Sequence, residues 1–389
     1  MDNIFIDREI KQHILEIQKY FPVLTITGPR QSGKTTLIKH IYADYQYFSM
    51  EDLDTREFAM ADPRAFLSQE KKGMIIDEVQ KAPLLLSYIQ GIVDNNPERK
   101  FILSGSSNFT MLKHVTQTLA GRTAILELPP LAYKEIQQYA SAKTLDQLLI
   151  DGFYPSIYAD KNKPEFFYPN YVKTYIERDV RDILNVSDLH RFQIFLRLCA
   201  GRIGSLFNAQ ELSNEVGVST NTIFSWLDVL QTSYIVTLLQ PYHDNIGKRL
   251  VKTPKLYFHD TGLACYLLGI ENTNQLSRDK MRGHLFENFI VTEALKSRYN
   301  KGKDSNLYFY RDSNQNEVDL LMLNGQQFNA FEIKSAQTFD SSFLKGLNAF
   351  SKIYNTRIDS KCIVYAGDFE NINNDYKLLN YKNIITNIE

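Results

Sequence analysis

Short apolar runs alternate with amphipathic segments over the first third of the chain. Runs rich in β-branched and aromatic residues, which are typical of buried strands, occupy positions 23–27, 46–49, 74–77, 101–104 and 123–128. The segments between these runs have helical spacing. Because strands that alternate with helices form a parallel sheet with helices on both faces, we predict an α/β domain over residues 1–140.

The pattern becomes helical after the predicted sheet, and residues 141–204 are expected to be a helical linker region. Within "YIERDVRD", Arg178 and Arg181 alternate with Asp179 and Asp182. On a helix such residues form i, i+4 ion pairs on a solvated face. A role in sensing a nucleotide is the alternative.

Residues 205–270 have the pattern of a winged helix-turn-helix. The stretch "NAQELSNEVGVSTNTIFSWLDVL" predicts a helix, a turn at Gly217 and a second helix capped by Ser219, and two strand-like runs follow it. The second helix has no Lys or Arg, so phosphate contacts would have to come from the wing. The basic residues near the predicted wing are Lys248, Arg249, Lys252 and Lys255. Nucleic-acid binding and packing as a lid on the first domain both remain open for this module.

Residues 271–389 predict a second α/β domain. A long helix, "RGHLFENFIVTEALKSRY", precedes the strands "NLYFYRD", "NEVDLLML" and "FNAFEIKS", and a helix and the strand "KCIVYAG" follow them. The dipeptide Asn324-Gly325 is a strong hairpin signal, and a two-residue turn there places Glu317 opposite Glu332. Asp319 and Lys334 then share the same face of the hairpin.

Acidic side chains that face one another on a half-apolar surface destabilise a strand pair unless a cation lies between them. We therefore predict a metal site formed by Glu287, Asp319 and Glu332, where Lys334 would stabilise a phosphate or activate water. Acids at an exposed sheet end, or a site that binds without cutting, are the alternatives.

The segment "PVLTITGPRQSGKTT" places an apolar strand before a complete phosphate-binding loop. The chemistry requires glycines so that backbone amides can wrap phosphates, a lysine that reaches the β and γ phosphates, and a hydroxyl for Mg²⁺. The predicted nucleotide-binding residues of this loop are Gly28, Pro29, Arg30, Gln31, Ser32, Gly33, Lys34, Thr35 and Thr36.

Further candidates follow other strands of the same predicted sheet. In "GMIIDEVQ", Asp77 is expected to hold Mg²⁺ together with Thr35, and Glu78 to orient or deprotonate the attacking water. Ser106 is a candidate sensor of the γ-phosphate, with helix capping as its alternative role. Arg122 is a candidate for neutralising charge on the phosphoryl group, in its own subunit or a neighbour's, unless it is an ordinary surface arginine.

Composition narrows the class of protein. The 44 basic and 45 acidic residues nearly cancel, so any DNA contact must be a local patch. Three widely spaced cysteines, Cys199, Cys265 and Cys362, match no zinc or redox pattern and predict buried free thiols. No window approaches a membrane span, and we expect a soluble cytoplasmic protein that does not enter a membrane.

An ordered set of motifs resembles a known family. It comprises "TGPRQSGKTTL", "IIDEVQKAP", "LSGSSNF", "LAGRTAILELPPL", "YIERDVRD", "VKTPKLYFHDTGLA", "GHLFENFI" and "EVDLLM…FEIKS". The set is similar to uncharacterised prokaryotic AAA-type ATPases in which a P-loop domain precedes a winged helix and a restriction-endonuclease-like domain. The C-terminal likeness lacks the proline of the Pro-Asp…Asp/Glu-x-Lys motif.

The resemblance implies a P-loop parallel-sheet domain, a helical and winged-helix region, and a C-terminal α/β nuclease-like domain. The expected activity is ATP hydrolysis with Mg²⁺, coupled to binding or cleavage of DNA. The rival expectation is a nucleotide-switched protein that recruits a protein partner or forms a homo-oligomer, and whose C-terminal domain binds without cutting.

Overall fold

Five parallel strands form the amino-terminal sheet of the computed structural model, which describes residues 4–69, 72–105, 115, 117–160, 162–176, 189–242 and 253–384. The strands are β1 (Val23–Thr27), β2 (Gln46–Ser49), β3 (Gly73–Asp77), β4 (Lys100–Ser104) and β5 (Thr123–Glu127). Their order in the sheet is β2-β3-β4-β1-β5. Every residue of β1 and β3 is buried, which explains their unbroken apolar runs.

Helices cover both faces of this sheet, and two separate apolar cores lie between helices and strands. The helices are α1 (Ile10–Ile17), α2 (Lys34–Ile41), α3 (Leu53–Ala61), α4 (Pro63–Ser68) and α5 (Leu84–Asn95), with a 3₁₀ turn at Val79–Lys81. The predicted α/β sheet domain is confirmed.

The middle of the chain is helical, as its pattern predicts. Its helices are α6 (Tyr133–Ala140), α7 (Leu145–Asp151), α8 (Pro155–Tyr158), α9 (Pro164–Tyr171), a π-helical segment Val172–Ile176, and α10 (Leu189–Ala200). The ion pairs expected between Arg178 and Asp182 fall outside the described residues.

Two helices joined by a short turn follow. Helix α11 (Ala209–Val216) ends at Gly217, whose φ is +74°, and α12 (Thr220–Thr232) is capped by the side chain of Ser219. The two strands after it, β6 (Val236–Pro241) and β7 (Lys255–Phe258), pair in antiparallel fashion. The basic residues expected between these strands, Lys248, Arg249 and Lys252, lie outside the described part of the chain. Lys255 does not face solvent there, because its side chain is buried among acidic groups.

The C-terminal strands extend the same hairpin into one mixed sheet, in the order β12-β13-β11-β10-β9-β8-β6-β7. These strands are β8 (Leu307–Arg311), β9 (Glu317–Asn324), β10 (Gln327–Lys334), β11 (Ile358–Tyr365), β12 (Asn371–Ile372) and β13 (Lys377–Asn380). The helices of this half are α13 (Thr261–Leu268), α14 (Thr273–Leu276), α15 (Arg282–Asn300) and α16 (Leu344–Tyr354), with 3₁₀ turns at Ser341–Phe343, Asn355–Arg357 and Tyr381–Asn383.

The register of the β9–β10 hairpin differs from the predicted one. Asn324 pairs with Gln327, so the turn residues are Gly325 and Gln326 rather than Asn324 and Gly325. Gly325 takes φ +61° while Gln326 is not among the residues with positive φ, which matches a turn that needs only its first central residue in that region. The strand pairing is therefore shifted by two residues, so each side chain stays on the face of the sheet predicted for it. The residue opposite Glu332 becomes Asp319 instead of Glu317.

Helix α15 ties the two halves of the molecule together. The ammonium group of Lys296 donates to Glu293 Oε1 (2.8 Å) and to the carbonyl oxygen of Leu131 (2.9 Å), while Glu293 Oε2 accepts from the backbone N–H of Tyr133 (2.7 Å). Both charged side chains are almost fully buried. Residues 131–133, which follow the first sheet, are thus hydrogen-bonded to a helix of the C-terminal half.

The three cysteines are buried and free, as predicted. None of the helices in the described ranges is long and apolar enough to cross a membrane.

Candidate functional site

The phosphate loop joins β1 to α2 and depends on its two glycines. Gly28 has φ +146°, and a Cβ there would lie only 2.2 Å from the carbonyl oxygen of Leu128. Gly33, with φ +90°, is the residue before α2. Both positions favour glycine, because other residues rarely adopt this backbone region.

Lys34 lies across the loop at the start of α2. Its ammonium group donates to the carbonyl oxygens of Gly28 (3.0 Å) and Pro29 (2.7 Å), and the residue is 7% exposed. Burial lowers the pKa of Lys34 to about 8, although the nearby carboxylates of Glu78 and Asp77 act in the opposite direction. The loop therefore holds a cation whose charge depends on pH near neutrality.

Asp77 ends β3 beside the loop and accepts several hydrogen bonds. Its Oδ2 accepts from Thr35 Oγ1 (2.8 Å) and from the hydroxyl of Tyr47 (2.9 Å), and its Oδ1 accepts from Ser104 Oγ (2.5 Å). The Thr35 hydroxyl and the Asp77 carboxylate thus form a pair of adjacent oxygen groups, the ligand type that Mg²⁺ prefers. Parallel strands bring these groups to one sheet edge.

Glu78 follows Asp77 in a left-handed conformation with φ +54°. A non-glycine residue in this region is uncommon and is concentrated at functional sites. Its backbone N–H donates to Asp77 Oδ1 (3.1 Å), and its carboxylate accepts from the side-chain amide of Gln80. The carboxylate of Glu78 lines the same cavity as Lys34 and Thr35.

Arg8 supports the loop from behind and was not identified from the sequence. Its guanidinium donates to the carbonyl oxygens of Ser32 (2.8 Å) and Pro129 (2.7 Å) and to Glu135 Oε1 (3.0 Å). Glu135 is itself buried. One buried ion pair therefore joins the N-terminal segment, the phosphate loop and the start of α6.

A cavity of about 750 Å³ opens beside the loop, and its far wall was also not predicted. One side is lined by Glu78 and by the loop residues Arg30, Gln31, Gly33, Lys34, Thr35 and Thr36. Helix α9 and the following π-helical segment supply the other side through Phe166, Asn170 and Tyr175. The predicted linker region thus forms part of the candidate nucleotide site.

Direct contacts join this wall to the loop. The side-chain amide of Gln31 donates to the hydroxyl of Tyr175 (2.8 Å), and the Arg30 guanidinium lies 5.6 Å from the centre of the Tyr175 ring. The hydroxyl of Tyr171 donates to the carbonyl oxygen of Arg30 (3.4 Å). A movement of the phosphate loop would therefore be transmitted to α9 and the π-helical segment through these contacts.

Two predicted catalytic residues do not join the site. Ser106 lies outside the described residues. Arg122 precedes β5, whose first residue, Thr123, pairs with Val23 at the start of β1, so it lies at the sheet edge opposite the phosphate loop. There its guanidinium makes a two-point ion pair with Asp94 (2.5 and 2.9 Å). This geometry separates Arg122 from the phosphate loop of its own subunit, and a role for Arg122 in its own or a neighbouring subunit stays a prediction.

The C-terminal acids do come together, but with lysines between them. Lys334 Nζ lies 2.6 Å from Glu332 Oε1 and 3.4 Å from Asp319 Oδ2, which also accepts from the backbone N–H of Ile333 (2.8 Å). Burial, together with the nearby charge of Asp319, raises the pKa of Glu332 to about 8. Burial alone would lower the pKa of Lys334, but Asp319 and Glu332 raise it above its ordinary value.

A second lysine reaches the remaining acids. Lys255, from β7, places its ammonium group 2.6 Å from Glu317 Oε1 and 3.0 Å from Glu287 Oε1, and the hydroxyl of Tyr257 donates to the same Glu287 oxygen (2.6 Å). Among the described residues, no three His, Cys, Asp or Glu side chains are arranged to hold a metal ion. The metal site predicted at Glu287, Asp319 and Glu332 is therefore not present as a ligand set in this structure.

Three family models match successive segments of the chain. Residues 20–137 match the model of an AAA domain, residues 142–274 match a domain of unknown function (DUF8612), and residues 282–384 match a domain of unknown function (DUF4143).

Relatives that match most of this chain are found in several organisms. An uncharacterised protein of Mycobacterium tuberculosis is 31% identical over 360 residues, which cover 89% of this chain and 77% of that protein. An uncharacterised protein of Haemophilus influenzae is 25% identical over 77% of this chain and 81% of its own length. Among solved structures, a Walker-type ATPase of Pyrococcus abyssi has a TM-score of 0.47 and 14% identity, covering 68% of this chain and 96% of that one. The match to the mycobacterial protein shows that this chain belongs to its family, and residues 20–137, which include the phosphate loop, form an AAA domain.

Proposed function

We propose that the chain binds ATP with Mg²⁺ at the phosphate loop and hydrolyses it. The observation that carries the proposal is the meeting of Lys34, the Thr35–Asp77 pair and Glu78 at one edge of a cavity large enough for a nucleotide.

Each residue has a distinct role in this proposal. Lys34 and the backbone amides of the loop bind phosphate oxygens, and Thr35 and Asp77 are the groups that would hold Mg²⁺, which supplies charge neutralisation when bound. Glu78 lies one residue beyond Asp77, where its carboxylate can orient or deprotonate a water molecule. Its contact with Gln80 fixes the carboxylate near the cavity.

The wall formed by α9 is proposed to bind the nucleoside. Aromatic and amide side chains suit a purine base, because a ring face can stack while an amide offers both a donor and an acceptor. Phe166, with 60% of its surface exposed beside the cavity, and Asn170 have these properties. The base would then link the AAA domain to the middle of the chain.

The C-terminal half is proposed to dock a partner without cutting it. We assign α11, α12 and the β6–β7 hairpin to a winged helix, and the region after residue 281 to a nuclease-like fold. The outer face of α12 presents Asn221, Phe224 and Asp228 and no basic residue, which favours a protein partner over nucleic acid. Cleavage of DNA is the second candidate, and the lysines in the acidic cluster count against it.

Phosphate release from ATP, measured with and without single-stranded, duplex and branched DNA, separates these candidates. We expect Mg²⁺-dependent hydrolysis that none of the three DNAs stimulates, and no cleavage of any of them. Strong stimulation by one DNA, or cleavage that Glu332→Gln abolishes, would instead establish the C-terminal half as a nucleic-acid enzyme. Lack of hydrolysis under every condition would remove the ATPase proposal itself.

A further inference from the structure

The acidic cluster of the C-terminal half consists of Glu287, Glu317, Asp319 and Glu332. These residues come from α15, β9 and β10, and a nuclease-like fold would use such a set to hold a divalent metal. The geometry instead surrounds them with cations of the chain itself. Whether the cluster is a metal site depends on what occupies the space between the carboxylates.

Lys255 occupies that space. It is only 2% exposed, and its ammonium group contacts one carboxylate of α15 at 3.0 Å and one of β9 at 2.6 Å. The charges of Glu287, Asp319 and Glu317 together overcome the effect of burial and raise the pKa of Lys255 above its ordinary value. The side chain therefore stays charged at neutral pH.

The position of Lys255 is fixed by the backbone on both sides. Its strand, β7, pairs with β6, and Leu206 forms an isolated bridge with Lys255 from the other side. Gly204, in the same segment, packs so closely that a Cβ there would lie 3.2 Å from Glu287 Oε2. The backbone of Lys255 is thus fixed beside the cluster by strand pairing on both sides.

The cations also balance the acids. Lys255 forms ion pairs with Glu287 and Glu317, and Lys334 forms ion pairs with Asp319 and Glu332. In addition, Arg311 Nε lies 3.6 Å from Glu317 Oε2. A divalent ion would add charge to a cluster that is already nearly neutral. One oxygen each of Glu287, Glu317 and Glu332 is already paired with an ammonium group, and Glu332 Oε2 is the buried carboxylate oxygen of the cluster without a hydrogen-bond partner among the described residues.

We infer that the ammonium group of Lys255 is the resident cation of this cluster and closes it to divalent metals. The cluster then acts as a structural joint between β7, in the segment matched by one domain model, and α15 and β9, in the segment matched by the next. If the C-terminal half docks a partner as proposed above, it does so without a metal ion at this cluster.

Mn²⁺ binding to the full-length protein, measured by electron paramagnetic resonance of the free ion, tests this inference. Wild type and Asp319→Asn are expected to bind the same number of Mn²⁺ ions, because any ion at the phosphate loop is common to both. The amide introduced by Asp319→Asn still offers an oxygen to the N–H of Ile333. Lys255→Met, whose side chain is one atom shorter and uncharged, is expected to gain one Mn²⁺ ion per chain and a higher melting temperature when Mn²⁺ is added.

The double variant Lys255→Met/Asp319→Asn is the matched control and is expected to return to the wild-type number. The inference is overturned if wild type binds an Mn²⁺ ion that Asp319→Asn loses, or if folded Lys255→Met gains none. Should Lys255→Met fail to fold, the comparison of wild type with Asp319→Asn decides the question alone: a difference overturns the inference, and equal binding supports it.

Discussion

At the residue scale, the proposed binding of phosphate depends on Lys34, whose charge changes with pH near neutrality. Lys34 is buried, it donates to its own loop carbonyls, and its pKa is lowered to about 8 because burial disfavours the ammonium form. Only the charged form attracts phosphate oxygens. Nucleotide binding should therefore depend on pH in a range where an ordinary lysine stays charged.

ATP affinity is expected to fall by about tenfold between pH 7.5 and pH 9, since the charged fraction of a group with a pKa near 8 falls by roughly that factor. The sign follows from the ammonium form being populated below its pKa and lost above it. Titrations of a fluorescent ATP analogue at a series of pH values measure this. Lys34→Arg is the control, because a guanidinium keeps its charge throughout. The same affinity at both pH values in wild type would contradict the assignment.

The loop residues are also where the sequence was most informative. Glycine, lysine and hydroxyl spacing is local, so Gly28, Lys34 and Thr35 were recognisable without any knowledge of packing. Arg8 was not, since an arginine between the apolar residues Ile6 and Ile10 has the same pattern whether it is exposed or buried. Only the tertiary structure shows that its guanidinium joins the loop to Glu135.

At the scale of secondary-structure elements, the strands of the first sheet lie where the apolar runs predict them, because a strand buried on both faces is nearly all apolar. The β9–β10 turn was misplaced by one residue, since Asn-Gly and Gly-Gln both supply a glycine, and only backbone geometry decides which pair is central. The cavity wall from α9 could not be predicted, because no local pattern states which helix faces the loop.

The N-terminal segment and α6 are held to the loop by Arg8, so its removal should affect stability and binding together. Arg8→Ala leaves the buried carboxylate of Glu135 without its cationic partner, which is expected to cost about 3 to 5 kcal/mol of unfolding free energy. ATP affinity should fall as well, because the carbonyl oxygen of Ser32 loses its donor. Chemical denaturation and nucleotide titration measure the two effects.

Lys11→Ala, on the exposed face of α1, is the control for that experiment. Its ion pair with Asp7 is solvent-accessible, so we expect a change of about 0.5 kcal/mol or less. Similar stability losses in the two variants would mean that Arg8 does not support the loop.

At the scale of the whole molecule, the largest apolar core runs from Ile6 and Leu131 beside the first sheet to Ile384 near the C-terminus. Helix α15 lies in this core, and its side chains Glu293 and Lys296 form hydrogen bonds with the backbone of Tyr133 and Leu131. The nucleotide cavity is itself completed by α9, whose residue Tyr168 packs against α13. A nucleotide-dependent change can therefore reach the C-terminal half through packed elements.

The central claim is that the phosphate loop hydrolyses ATP, and the steady-state rate of phosphate release by Lys34→Ala tests it most directly. Lys19→Ala, which changes an exposed lysine of the same domain, is the control. Removing the charge that stabilises the phosphates is expected to lower the rate on the order of 100-fold while the control keeps the wild-type rate. Hydrolysis by folded Lys34→Ala at the wild-type rate would contradict the account.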